Sequence, residues 1–254
     1  MKLNGSMKSI LTCLFAALSL NSACGQKDDV SYEVDAFKTK SGKTIKFYAL
    51  MHSCIRMTYE GQEIEIDPVQ KLRDKTVDYT MIPKADFILV THEHQDHFDR
   101  EAIKQLTKDQ TQLITNKRCG DMLGYGTVLA NGDNRQLSAD IRVEAVPAYN
   151  TTEASKQFHP KGRDNGFVLT IDGLRIYIAG DTEDIPEMAD IKDIDIAFFP
   201  CNKPFTMSPE QLVRAAKIVK PKVLFPYHYG NTDVSVIPEM LKQEGVEVRI
   251  RHYE

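Results

Sequence analysis

The stretch Thr91-His92-Glu93-His94-Gln95-Asp96-His97-Phe98-Asp99 decides how the rest of this chain is organised. Three of the chain's seven histidines lie within it, together with an aspartate, in the spacing His-x-His-x-Asp-His. Imidazole and carboxylate groups at this density are typical ligands of zinc and related ions. Side chains two residues apart in an extended segment share a face, so His92 and His94 can bind one ion while Asp96 and His97 turn towards a second. The stretch therefore predicts a metal site with room for two ions.

The residues on either side of this loop predict the elements that carry it. Residues 87–90 form a short apolar run, which is typical of a buried strand. Asp99 is suited to cap a helix that continues to Leu106, because Ala102, Ile103 and Leu106 share one face. The ligands would thus lie on a loop at the carboxyl end of a strand, a usual place for chemistry in layered α/β folds.

The remaining chain alternates strand-like and helix-like segments without internal repeats. Asp172-Gly173 between two apolar runs predicts a hairpin, and Ser208-Pro209-Glu210-Gln211 predicts a helix that begins with a capping box and continues to Val219. A last helix is predicted from Val236 to Glu244. Strands are predicted at 44–50, 55–59, 63–66, 113–115, 141–146, 166–171, 174–179, 194–199, 223–225 and 246–250. This order predicts an α/β fold in which sheets pack together and helices lie outside.

The N-terminal residues predict export. Residues 1–23 combine a basic start with an apolar stretch, from Ile10 to Leu20, that is too short to span a bilayer as an ordinary helix. Ala23-Cys24 resembles a bacterial lipoprotein processing site, although Asn21 departs from its usual pattern and leaves ordinary signal-peptidase cleavage open. Residues 26–29 resemble a surface-export signal, with a plain hydrophilic tether as the alternative. We therefore predict a signal peptide at 1–23, a tether at 24–40 and one domain at 41–254, in a periplasmic or outer-membrane lipoprotein whose membrane contact is a lipid on Cys24.

Charge and cysteine content exclude some classes of protein. Without residues 1–23, which hold two lysines and no acidic residue, the formal charge falls from −4 to −6. The net negative charge, together with the lack of a block of lysine and arginine, argues against nucleic acid as the partner. We therefore expect a small-molecule substrate. Cys54, Cys119 and Cys201 are too few for a disulfide-stapled scaffold and are expected to be buried thiols. The sequence does not indicate an oligomeric state.

Four more metal-competent residues follow predicted strands: His52, Asp67, Asp181 and His228. An aspartate after a strand is usually a turn former or a helix cap, so none of these residues would carry weight alone. Their shared placement makes them candidates for the same site.

At this point the sequence resembles the metallo-β-lactamase superfamily of metallo-hydrolases. The matching segments are THEHQDH at 91–97, AGDT at 179–182 and PYHYG at 226–230, in that order. The segment from His52 to Asp67-Pro68 resembles the branch that contains the ascorbate-6-phosphate lactonases and the phospholipase D acting on N-acyl-phosphatidylethanolamines, although Met51 stands where that branch often has glycine. The resemblance covers roughly residues 44 to 250 and implies a four-layer αββα sandwich with its site at one edge of the two sheets.

Carried over residue by residue, the resemblance implies two divalent metal ions, zinc first, with manganese or iron as alternatives. His92 and His94 would bind the first ion, Asp96, His97 and His228 the second, and Asp181 would bridge them. The family has one more histidine for the first ion, at a place where this chain has Tyr149-Asn150. His159 on the same loop and Asn150 are both candidates, and His159 is favoured because imidazole is the better zinc ligand.

The implied reaction is hydrolysis. Two ions lower the pKa of a shared water, and the hydroxide attacks an ester, lactone, amide or phosphoester. Asp96 would orient the nucleophile, His52 would meet the substrate or the water, and Asp67 would accept an N–H from a ligating histidine. The proton donor to the leaving group is open among His52, Lys161 and Tyr227. The alternatives are a phosphodiesterase acting on lipid or nucleotide, and a non-catalytic metal-binding module.

Overall fold

The structure, a computed structural model, describes residues 32–253. The strands within that range are β1 (Glu33–Lys38), β2 (Thr44–Met51), β3 (Cys54–Tyr59), β4 (Gln62–Ile66), β5 (Lys71–Leu72), β6 (Lys75–Thr76), β7 (Phe87–Val90), β8 (Gln112–Thr115), β9 (Thr127–Val128), β10 (Asn134–Gln136), β11 (Ile141–Ala148), β12 (Asp164–Ile171), β13 (Leu174–Ile178), β14 (Ile196–Pro200), β15 (Val223–Tyr227) and β16 (Glu247–Val248). The helices there are α1 (Arg100–Leu106), α2 (Lys117–Leu123), α3 (Pro209–Val219) and α4 (Ile237–Met240), with 3₁₀ turns at Tyr79–Met81 and Pro186–Asp190.

Two seven-stranded sheets form the centre of the molecule. Their strand orders are β1-β2-β3-β4-β7-β8-β9 and β10-β11-β12-β13-β14-β15-β16, and β5 and β6 form a separate hairpin. In each sheet the first strands pair antiparallel and the later ones pair parallel, from β4 and from β13 onwards. The parallel strands are connected through helices, and their carboxyl ends meet at one edge of each sheet.

Three hydrophobic clusters hold four layers together. The central cluster joins the sheets, for example through Phe47 of β2 and Phe198 of β14, whose ring centroids lie 5.8 Å apart. A second cluster packs the outer face of one sheet on α1, and a third packs the other sheet on α3. Because each sheet buries one face against the other sheet and one against helices, the predicted αββα sandwich is confirmed.

Local sequence explains the elements that flank the ligand loop. All four residues of β7 are buried, as a central parallel strand requires. Asp99 caps α1, because its Oδ1 accepts hydrogen bonds from the backbone N–H of Glu101 and Ala102 at 2.9 and 3.3 Å. Its Oδ2 accepts the N–H of Gln70 at 2.9 Å and so ties the helix start to the loop after β4. The loop between β7 and α1 is therefore held at both ends.

The structure corrects the predicted tether at 24–40. Strand β1 occupies residues 33 to 38 and pairs antiparallel with β2. Its sequence lacks an apolar alternation, and the side chain that it buries most is Asp35. The Asp35 carboxylate accepts hydrogen bonds from Arg249 and Arg251 at 2.7–2.8 Å. Because those partners lie more than 200 residues away, the local pattern could not indicate this strand.

The end of the chain also differs from its prediction. Helix α4 ends at Met240 rather than Glu244, and the following residues form turns with i to i−3 hydrogen bonds, such as Glu244 N–H to Leu241 O at 2.9 Å. The signal peptide and Cys24 lie outside the described residues. The three cysteines predicted to be buried thiols are buried and not disulfide-bonded.

Between residues 32 and 253 there is no helix with the length and apolar character that crossing a membrane requires.

Candidate metal centre

The candidate site lies where the carboxyl ends of five strands meet. His52 follows β2, Asp67 follows β4, Asp181 follows β13 and His228 follows β15, while the predicted ligand loop follows β7. His52, Asp67 and His228 have left-handed backbones, with φ of 51°, 46° and 49°. Non-glycine residues adopt this conformation at a cost of about 1 kcal/mol or more, and such strain is typical of functional sites.

Gly180 allows Asp181 to reach the site. Its φ is +65°, and a Cβ at this position would lie 2.6 Å from the carbonyl oxygen of Asn165. An L-residue here would need a shift of the neighbouring strand. The glycine of the AGDT segment is thus required by the close approach of two backbones directly before the aspartate.

A buried network behind the loop orients His92 and His97. His97 Nδ1 lies 2.8 Å from Asp67 Oδ2, which confirms the predicted contact between Asp67 and a histidine of the loop. Thr91 Oγ1 donates to Asp67 Oδ2 at 2.7 Å and lies 3.0 Å from His92 Nδ1. Each imidazole thus uses Nδ1 on the protein and presents Nε2 to the centre, an arrangement typical of metal-ligating histidines.

His159 reaches the same centre from the loop between β11 and β12. Its Nδ1 lies 3.1 Å from Asp164 Oδ2, and its Nε2 lies 3.3 Å from Asp181 Oδ2. Asn150, the alternative candidate, is held by the backbone of two loops. Its Nδ2 donates to the carbonyl oxygens of Ser155 and Phe205 at 3.1 and 2.7 Å. The geometry brings His159 to His92 and His94, and Asn150 is not among the residues that line the cavity beside them.

Three groups of ligand-type side chains lie at the centre, and the ligand atoms of each group lie within 4.8 Å of one another. The groups are His92, His94 and His159; His52, Asp96 and His228; and His92, His97 and Asp181. All seven predicted metal ligands are therefore brought together, and His52 joins them.

The placement of His52 differs from the sequence-based interpretation. It was expected outside the ligand set, yet its Nε2 lies 3.3 Å from Asp96 Oδ2, and its ring centroid lies 3.8 Å from that of His228. The His52 N–H donates to the carbonyl oxygen of Tyr253 at 2.8 Å, and the His228 N–H donates to the carbonyl oxygen of His52 at 3.2 Å. No local sequence pattern indicates these contacts, because they join residues that are far apart in the chain.

The Asp181 carboxylate lies at the middle of the cluster. Nε2 of His97 lies 3.3 Å from its Oδ1, and Nε2 of His159 and of His228 each lie 3.3 Å from its Oδ2. Nε2 of His92 lies 3.9 Å from that same oxygen. A carboxylate can give one oxygen to each of two cations, and Asp181 has the surroundings that such a bridge requires.

The cluster is buried and strongly polarised. Burial opposes ionisation of Asp181, but the charges of His228 and His97 outweigh it and hold the pKa of Asp181 well below its usual range. Burial likewise opposes the charge on His97, whose pKa Asp181, Asp96 and Asp67 nevertheless raise well above its usual range. Burial and the charge of His97 lower the pKa of His92 well below its usual value. The ionised Asp181 and the neutral His92 are in the protonation states that bind a divalent cation, and a bound cation would displace the proton that the carboxylates favour on His97.

Buried polar atoms without hydrogen-bond partners also fit a metal centre. Nε2 of His97, Nε2 of His228 and Oδ1 of Asp181 are buried without a hydrogen-bond partner among the described residues. Buried polar atoms normally have hydrogen-bond partners, and each atom left without one costs about 1–3 kcal/mol. Because these atoms point into the cluster of nitrogen and carboxylate donors, a divalent cation would satisfy all three.

Two proposed proton donors do not face the site. Lys161 Nζ contacts Tyr149 Oη at 3.2 Å and Glu187 Oε1 at 2.7 Å. Tyr227 is fully buried in the core between the sheets, and burial raises the pKa of its hydroxyl well above the usual value. Of the three candidates, His52 lines the cavity beside the cluster, and the other two do not.

Comparisons with known proteins agree with this geometry. Residues 45–228 match the family described as the β-lactamase superfamily domain. A UPF0173 metal-dependent hydrolase of Nanoarchaeum equitans is 32% identical over 178 residues, which cover 65% of this chain and 82% of that protein. A crystal structure of a protein from Parabacteroides distasonis, provisionally described as a metal-dependent hydrolase, is 49% identical with a TM-score of 0.85, over 88% of this chain and 100% of that one.

A metallo hydrolase of the archaeon Ignicoccus hospitalis shares the fold at 24% identity, with a TM-score of 0.69 over 81% of this chain and 94% of that one. The family match spans most of the chain and includes the ligand loop, Asp181 and His228. The chain therefore belongs to the β-lactamase superfamily and is a metal-dependent hydrolase related to the UPF0173 proteins.

Proposed function

We propose that this protein holds two divalent metal ions and hydrolyses a small ester, lactone, amide or phosphoester. The observation that carries the proposal is that one histidine from each of the three ligand groups, His159, His228 and His97, lies 3.3 Å from the buried carboxylate of Asp181, beside a cavity. The donors are mostly imidazole nitrogens, which favours zinc, with manganese or iron as alternatives. A structural zinc site needs four closed ligands, and the larger set here argues against a non-catalytic module.

In this proposal His92, His94 and His159 hold one ion, Asp96, His97 and His228 hold the second, and Asp181 belongs to both. When bound, the ions would polarise a carbonyl or phosphoryl oxygen and lower the pKa of water in the site. Asp96 Oδ2 lies 3.3 Å from Nε2 of His52 and Nε2 of His228. Asp96 would orient the attacking water, and His52 would hold a proton at Nε2 and deliver it to the leaving group.

The size of the cavity bears on the alternative of a phosphodiesterase acting on lipid or nucleotide. The cavity beside the cluster has a volume of about 220 Å³. Pockets for drug-sized ligands usually measure 300–1,000 Å³. A small substrate is therefore favoured over a whole nucleotide or phospholipid.

Metal content tests the proposal. Protein without residues 1–23, loaded with zinc, manganese or iron and freed of excess metal, should retain close to two equivalents by elemental analysis. Metal at about 1,000 times its Kd stabilises the fold by about 4 kcal/mol, so chelation should lower Tm by roughly 10 °C. The loaded protein should hydrolyse members of a panel of esters, lactones and phosphodiesters, and activity should fall on chelation. Failure to take up any of the three metals would refute the assignment.

We further propose that the protein is exported and anchored by a lipid on Cys24, on the strength of the N-terminal sequence. Cells grown with labelled palmitate should yield labelled protein in the membrane fraction. Cys24→Ser should remove the label and release the protein from the membrane. A precursor cleaved without label would instead support ordinary signal-peptidase processing.

A further inference from the structure

Arg163 is a mostly buried cation that lies beside the ligand cluster without belonging to it. It stands directly before β12, at the end of the loop that carries His159. Its side chain is 17% exposed and forms ion pairs with Asp164 and Glu93, whose side chains are more deeply buried. Replacing a buried ion pair with apolar side chains is often neutral or stabilising, so stability alone is a weak reason for this cluster. The contacts of Arg163 with the site supply a stronger one.

On one side, Arg163 fixes the carboxylate that orients His159. Its Nε donates to Asp164 Oδ1 at 2.6 Å, and its Nη2 donates to Asp164 Oδ2 at 2.8 Å. Such a fork sets the plane of a carboxylate as well as its position. The same Oδ2 lies 3.1 Å from His159 Nδ1. Nη2 also donates to the carbonyl oxygen of Phe158 at 2.6 Å, so the backbone directly before His159 is held by the same group.

On the other side, Arg163 reaches the ligand loop. Its Nη1 lies 3.6 Å from Oε1 of Glu93, the residue between His92 and His94. Its Nη2 lies 3.5 Å from His94 Nε2, at the outer limit of a hydrogen bond. The opposite nitrogen of that ring, Nδ1, lies 3.0 Å from His92 Nε2. The guanidinium group thus packs against one edge of the His94 ring while the other edge faces the cluster.

These contacts join the two loops that supply one ligand group, His92, His94 and His159. Within residues 32–253, the side chain of Arg163 contacts Phe158, Asp164, Glu93 and His94, and none of the ligands proposed for the second ion. One buried cation is therefore shared by the two loops of the first metal site alone.

We propose that Arg163 is a positioning residue for the first metal ion, which holds His94 and His159 at the separation and orientation that a shared ion requires. The inference rests on the proposed two-metal function and deepens it, because it makes one of the two ions depend on this residue. Outer-shell partners of metal ligands usually contribute 10–100-fold to metal affinity. Lysine cannot replace the arginine, because an ammonium group is a point charge without the planar fork that meets both oxygens of Asp164.

Zinc titration of the metal-free protein, in competition with a fluorescent chelator, tests the proposal. Arg163→Lys keeps the charge that pairs with Asp164, so this variant should fold. We expect one of its two zinc affinities to fall about tenfold and the other to stay as in the wild type. Arg163→Met removes the charge as well, and the same affinity should fall about 100-fold. If Arg163→Met does not fold, Arg163→Lys decides the question.

Arg118→Lys is the matched control. Arg118 Nη1 contacts the same Glu93 oxygen at 2.8 Å, but its side chain is 56% exposed. This variant should bind both zinc ions as the wild type does. Wild-type affinities in Arg163→Lys would overturn the proposal. Equal losses at both ions would also overturn it, because Arg163 would then serve the fold as a whole, and so would an equal loss in Arg118→Lys, because the effect would then act through Glu93.

Ring C–H signals of the histidines in NMR spectra of the metal-free protein separate this inference from the two-metal proposal. The His159 signals should be sharp in the wild type and broadened by microsecond to millisecond motion in Arg163→Lys. The signals of His97, whose Nδ1 is held by Asp67 at 2.8 Å, should stay unchanged. If the wild type took up no zinc, the two-metal proposal would fail, and these spectra would still decide whether Arg163 orients His159. Equally sharp His159 signals in both proteins would overturn that role.

Discussion

Asp181→Ala is expected to remove metal binding and hydrolysis together. The carboxylate lies within 3.3 Å of Nε2 of His97, His159 and His228, so its loss removes a shared ligand and the charge that offsets two cations. Outer-shell partners of metal ligands usually contribute 10–100-fold to affinity or activity. The loss of a bridging ligand should have a larger effect, and we expect metal affinity and kcat/KM each to fall by more than about 100-fold.

Elemental analysis and kcat/KM on the most reactive ester of the panel would measure the effect, with circular dichroism to establish that the variant folds. Asp190→Ala is a suitable control, because this exposed aspartate lies nine residues further along and away from the cluster. If Asp181→Ala kept two equivalents of metal, the bridging role would be wrong. If it lost metal but kept its rate, the metal would not be part of the reaction.

Sequence alone could place most of the candidate ligands because each follows a strong local signal. The run at 87–90 and the cap at Asp99 fixed the loop between a strand and a helix, and both are as predicted. Residues directly after strands, such as Asp181 and His228, were expected near one another because parallel strands end at a common edge. At these positions the local sequence pattern and the strand order of the fold predict the same location for the side chain.

Tertiary contacts determine the features that the sequence pattern could not predict. The position of His52 depends on a left-handed backbone and on a hydrogen bond to Tyr253, at the far end of the chain. Strand β1 depends on the pairing of Asp35 with Arg249 and Arg251. The cavity walls come from three separate loops, none of which carries a motif. Local sequence pattern therefore does not predict which side chains surround the ligand cluster.

His159→Ala should lower the metal content of the protein and Asn150→Ala should not, which makes the pair a sharp test of the first metal site. His159 Nδ1 lies against Asp164, so its Nε2 is directed at the cluster with His92 and His94. Its removal leaves two nitrogen ligands and the shared carboxylate. Metal content should fall from two equivalents towards one, and kcat/KM should fall at least about 100-fold, beyond the usual loss for an outer-shell partner.

Asn150→Ala should retain both metals and lose stability instead. The substitution leaves the buried carbonyl oxygens of Ser155 and Phe205 without the Nδ2 donor, at a cost of about 2 kcal/mol. That corresponds to a fall in Tm of roughly 4–8 °C. KM should rise more than kcat falls, because the amide holds the loop of Phe205 in the cavity wall. The reverse result, metal lost from Asn150→Ala and kept by His159→Ala, would move the third ligand to the asparagine. The contrast follows from chemistry: imidazole directs a lone pair at the ions, whereas this amide directs its N–H groups at the backbone.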